Sequence, residues 1–125
     1  MATHIWTLVC EQALVDRFSN NLTIINVVEQ FSITLERIGE APAEEVVPTV
    51  PCTFTVVTMW HRSSPSVEEE SSVRVRLVSP SGKLVTREQE LRIELKGERT
   101  RARHIANYRG VPISENGDYK VQAQR

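Results

Sequence analysis

Residues 113–125 read "ISENGDYKVQAQR". Gly117, in a polar loop, delivers the chain into a run in which Tyr119, Val121 and Ala123 alternate with Lys120, Gln122 and Gln124. Successive side chains of a strand point to opposite faces, so this period of two predicts a β-strand with one apolar face. A strand needs a hydrogen-bonding neighbour, and no further strand pattern follows this one. The edge at Tyr119, Val121 and Ala123 is therefore the first candidate binding site, because unpaired N–H and C=O groups there would accept a strand from elsewhere.

The same period recurs upstream. Trp6, Leu8 and Cys10 share one face of a strand starting at Ile5, and Phe54, Val56, Thr58 and Trp60 share one face between Thr53 and His61. Val73, Val75 and Leu77 alternate with arginines, as do Leu91, Ile93 and Leu95 with charged residues. Ala102, His104, Ala106 and Tyr108 give a further inward face between Thr100 and Tyr108. Leu22 to Leu35, "LTIINVVEQFSITL", is too rich in β-branched residues for a helix. Its first half is apolar on both faces, as in a buried central strand or one with a bulge. Residues 39–51 hold three prolines and three glutamates and read as a connection. "SPSGK" at Ser79–Lys83 reads as a tight turn. The only short helix expected is Glu11 to Phe18. These seven strand candidates predict an all-β, antiparallel β-sandwich occupying residues 1–125 as a single domain.

"LVCEQALVD", "LTIINVVEQF", "VRVRLVSPSGK" and "ENGDYKVQ", in that order, resemble a bacterial family of small uncharacterised proteins, a domain of unknown function. The resemblance spans nearly the whole length. It implies a Greek-key sandwich, immunoglobulin-like or C2-like, with no known catalytic residues. In that family one more strand usually follows the Gly-x-Tyr strand, and here it is missing. Gly117-Asp118-Tyr119 also looks like a tyrosine corner, in which the Tyr hydroxyl returns to upstream backbone.

With 15 basic and 16 acidic residues in 125, the chain has no net field to draw it to nucleic acid or an anionic membrane. The longest apolar run falls well short of the about 20 residues that span a bilayer. The start of the chain lacks the pattern of a secretory signal, so the expectation is a cytoplasmic protein. Cys10 and Cys52 fit neither a zinc pattern nor a disulfide-rich scaffold and are read as reduced, partly buried thiols, with a bridge between facing strands as the alternative.

Chemistry is sparse in this sequence. His4, His61 and His104 are the only histidines. Neither cysteine has a glycine-rich elbow beside it, and no metal-ligand spacing occurs, so the expectation is a protein with no catalytic residues, no metal and no cofactor. Glu68, Glu69 and Glu70 read as a solvated loop rather than a calcium site. Trp60 and Trp6 read as core residues rather than a ligand platform. "RTRAR" is more suggestive, because Arg99, Arg101 and Arg103 on one strand face would stand about 6.6 Å apart, near the spacing of nucleic-acid phosphates. No aromatic residues interleave with them, and cross-strand pairing with Glu88, Glu90, Glu94 or Glu98 is the favoured alternative. Two functions follow in order of preference. The first is a non-enzymatic module that binds a protein partner, or itself as a homodimer, through a sheet edge or face; the second is anion or nucleic-acid binding by the arginine stripe.

Overall fold

The computed structural model describes residues 2–29, 49–64 and 66–124. Among these residues there is no helix, and all pairings between strands are antiparallel. The strands are β1 Ala2–Val15, β2 Leu22–Val27, β3 Thr49–Val50, β4 Phe54–Arg62, β5 Glu69–Val78, β6 Gln89–Leu95, β7 Arg101–Tyr108, β8 Val111–Pro112 and β9 Lys120–Gln124. One sheet runs β2-β1-β4-β7, a second runs β6-β5-β9, and β3 pairs with β8 alone. The two two-residue strands apart, each expected strand has its counterpart. The second half of the expected Leu22–Leu35 strand, and most of the proline-rich connection, lie outside the described residues.

The alternating residues decide which faces meet. From the four-stranded sheet, Phe54, Val56, Ala106 and Tyr108 point at Val75 and Leu77 of the three-stranded one, with Val111 closing one end of this cluster. A second cluster joins Ala2, Trp60 and Ala102 to Val73, Ile93 and Leu95. Burying such side chains contributes about 1.5–3 kcal/mol each, which is why the period of two fixes the register so firmly. Trp60 is 1% exposed, and its indole N–H donates to Thr58 Oγ1 at 2.9 Å, so its polar end is satisfied inside the core.

The expected helix at Glu11–Phe18 is instead the far half of β1. Gln12 to Val15 pair with Ile25 to Leu22 as one side of a hairpin. A single isolated helical turn gains too little to compete with a full ladder. The turn is set by Asp16, whose Oδ1 accepts from the backbone N–H of Phe18 at 2.8 Å and of Ser19 at 2.7 Å. These two bonds, that from Ser19 first, hold the Asp16 carboxyl below its usual range.

This hairpin does not run straight on from the sheet. Its tip residue Asn20 meets Arg103, whose row through Met59 and Trp6 lies well back from the Cys10–Thr55–Asn107 row where the hairpin departs. The arm therefore curls back over the outer face of the four-stranded sheet. Val57, paired with Leu8 and Ile105 on its two sides, is 0% exposed. The bend has a local cause in Asn26, which takes φ 52° inside β2 and donates from Nδ2 to Glu11 Oε2 at 3.0 Å. Among the described residues β2 ends its sheet and is not a buried central strand, and Val27 on it is 53% exposed.

Candidate functional site

The quoted C-terminal stretch builds the site. Tyr119 stands one residue before β9 and packs against the first core cluster. Its hydroxyl accepts from the backbone N–H of Ser114 at 3.0 Å and of Glu115 at 3.1 Å, and donates to the Glu115 carbonyl at 3.2 Å. That is the return to upstream backbone expected of a tyrosine corner, and it ties the 113–119 loop into a fixed shape. Gly117 at the turn has φ 129°, and a Cβ placed there would lie 2.9 Å from Pro80 Cγ, so the loop closes only with glycine.

β9 then pairs with β5, from Arg74↔Gln124 to Val78↔Lys120. Val121 and Ala123 turn inward, half-buried against the core, while Gln122 meets Arg76 on the outer face, with Arg76 Nε donating to Gln122 Oε1 at 2.9 Å. Among the described residues no strand is hydrogen-bonded to the other side of β9. Tyr119, Val121 and Ala123 are thus brought together at a sheet edge.

A groove of about 900 Å³ opens beside that edge. Phe54, Val9 and Val111 supply one side, while Leu77, Val121 and Tyr119 supply the other. Among the described residues that line it, Glu29, Glu115 and Asp118 are acidic and Lys120 is the one cation. Hydrogen bonds from Ser79 and then Ser81 hold the Glu115 carboxyl below its usual range, so it carries charge at neutral pH. Sequence reading does not find this groove: its walls come from both sheets, and each apolar residue reads locally as ordinary core. Only Glu115 and Asp118, beside the tyrosine, carry a local signal.

The arginine stripe is not assembled as expected. Arg99 lies in the turn before β7, where its N–H bonds the Lys96 carbonyl at 3.1 Å, so it is not on the strand face. Arg103 spends its guanidinium on Asn20, and Arg101 remains exposed. β7 is hydrogen-bonded to β4 while β6 belongs to the other sheet, so Glu90 and Glu94 of β6 are not cross-strand neighbours of these arginines within one sheet. Those glutamates meet β5 instead: Glu94 stands opposite Glu70, and Arg92 forms an ion pair with Glu70.

The acidic run is only partly a solvated loop. Glu69 and Glu70 open β5, with Glu69 buried and accepting from Ser63 N–H, while Glu68 accepts from Gly97 N–H at 3.4 Å. Cys10 is buried and Cys52 half-buried, both as free thiols, and burial pushes both thiols up in pKa. Cys10 Sγ donates to the Thr55 carbonyl at 3.6 Å. His4 stacks edge-on against Trp60, and His104 is buried in β7. Among the described residues no three His, Cys, Asp or Glu converge to hold a metal ion, and no helix is long and apolar enough to cross a membrane.

Compared with family models, with curated proteins and with solved structures, the chain shows no significant match to any of them.

Proposed function

We propose that this protein is a Greek-key β-sandwich that works as a non-enzymatic binding or assembly module, holding a protein partner through the exposed edge of β9. The observation that carries this reading is the row of β9 backbone groups with no strand beside it among the described residues. Such a row is costly to leave open and is a template for an incoming strand. The tyrosine corner supports it, because a fixed loop at Tyr119 holds the edge in a ready conformation, and little entropy is then lost on binding. The polar outer row of Lys120, Gln122 and Gln124 fits an edge kept soluble until it is used.

Hydrogen exchange on the purified chain, with its mass measured by light scattering on the same sample, tests the reading. In a monomer, the β9 amides that point away from β5 exchange at nearly unprotected rates. If the mass is that of a dimer, protection of those amides supports self-assembly through this edge. Protection in a clean monomer means that the edge is already covered within the chain, and overturns the proposal.

A further inference from the structure

The edge of β9, which carries no strand among the described residues, and the groove adjoin, and together they specify more than either does alone. A strand laid antiparallel or parallel against β9 keeps the sheet's strand spacing of about 4.8 Å and continues the three-stranded sheet over the groove. Its side chains then alternate: every second one points into the space between Val9, Phe54 and Val111 on one side and Leu77, Tyr119 and Val121 on the other. The intervening ones continue the polar outer row of Gln122 and Gln124. The backbone groups of β9 are indifferent to sequence, but this geometry is not. It requires apolar residues two apart, and a groove of about 900 Å³ is large enough for several aliphatic or aromatic side chains. The rim adds a sign. Among the described lining residues, three carboxylates against one lysine favour a strand that carries a basic residue where it passes Glu115 and Asp118.

We infer that the partner of this site is an extended segment of another polypeptide with apolar side chains at alternate positions and a lysine or arginine at its end, which completes the β6-β5-β9 sheet and fills the groove. This rests on the edge-binding reading above and narrows it to a class of ligand.

The probe is a synthetic nonapeptide in which valine, isoleucine and phenylalanine alternate with threonine, with lysine at both ends. Its control has the same composition with the apolar residues shuffled out of alternation. Binding to the full chain is followed by calorimetry and by amide resonances of β9 and of Val9, Leu77 and Val111. The alternating peptide is expected to bind about tenfold or more tightly than the control, a difference of about 1.4 kcal/mol, and to shift both sets of resonances. Asp118→Lys, at an exposed position outside the core, is expected to weaken the lysine-ended peptide severalfold and to favour a glutamate-ended one. Equal affinity for both peptides, with β9 shifted and the groove residues unmoved, overturns the groove assignment and leaves edge binding standing. Failure of both peptides to bind while β9 amides exchange freely also overturns it. Failure with β9 amides already protected in a monomer, as when residues 30–48 or another part of the chain fill the site, overturns both readings.

Discussion

Arg103 Nη2 donates to both oxygens of Asn20, the carbonyl at 2.9 Å and the side-chain Oδ1 at 2.8 Å, across 83 positions of sequence. Asn20 itself sits at φ 60°, a conformation that asparagine tolerates far better than most residues. One contact thus joins the tip of the β1–β2 arm to the opposite edge strand of the same sheet. It fastens an arm whose own hydrophobic residues, Leu14, Val15, Ile25 and Val27, remain substantially exposed, and whose Phe18 is 96% exposed.

Removing that fastener is expected to loosen the arm without unfolding the core. Arg103→Ala loses charge-assisted bonds at a partly exposed site, about 1 kcal/mol, which is about a fivefold rise in local opening. Hydrogen exchange should quicken across residues 11–27 and stay unchanged in β4 and β5. Asn20→Ala should have the same signature, with added cost from the left-handed backbone. If β4 exchanged faster to the same degree as the arm, the arm would be part of the cooperative unit and not a separately fastened element.

Tyr119→Phe keeps the ring and deletes the hydroxyl. It leaves the Ser114 and Glu115 N–H groups without their acceptor and the Glu115 carbonyl without a donor. The expected loss is about 1–3 kcal/mol, read from urea denaturation as a lower midpoint at unchanged slope. A neutral result would mean that water replaces the hydroxyl at no cost.

Two glycines with positive φ separate steric closeness from backbone conformation. An alanine at Gly97 finds open space, so only the left-handed backbone opposes it, at about 1 kcal/mol. An alanine at Gly117 has the same kind of backbone problem and in addition meets Pro80, a ring held in its own turn. Gly117→Ala should therefore destabilise clearly more than Gly97→Ala in the same denaturation assay. Equal losses would show that the loop around Pro80 yields.

Much of this was legible in the sequence because the period of two survives wherever one face is buried. Thr53–His61 and Thr100–Tyr108 alternate cleanly, and those are two adjacent strands of the four-stranded sheet, paired residue for residue from Phe54↔Tyr108 to His61↔Arg101. The tyrosine corner was legible because its partners lie four and five residues away. Glu11–Phe18 was misread for the opposite reason: its state is set by a distant pairing and by a fold back onto Arg103, neither of which leaves a local trace. The arginine stripe failed in the same way, since a period of two places arginines on a face but says nothing of a remote asparagine reaching them. Which strands are hydrogen-bonded neighbours was equally hidden: β7 pairs with β4, while β6 and its glutamates pair with β5.

His104 makes stability depend on pH in a window that carboxylates do not reach. The residue is 8% exposed, its Nδ1 has no hydrogen-bond partner among the described residues, and desolvation holds its pKa below the ordinary imidazole value. The native state therefore prefers the neutral ring. Above about pH 6.5 the unfolded chain is neutral at this site too, and the full stability is present. As pH falls through that value the unfolded state takes up the proton first, so stability declines until the pH is below the lowered native pKa, where the loss levels off. Asp16 and Glu115, whose carboxyls are held below their usual range, lose their contributions only at lower pH. Urea midpoints measured between pH 8 and pH 5 should fall for the native chain. In His104→Gln that slope should be shallower, whatever the variant's stability at pH 8. An unchanged slope in the variant would assign the acid sensitivity to another group.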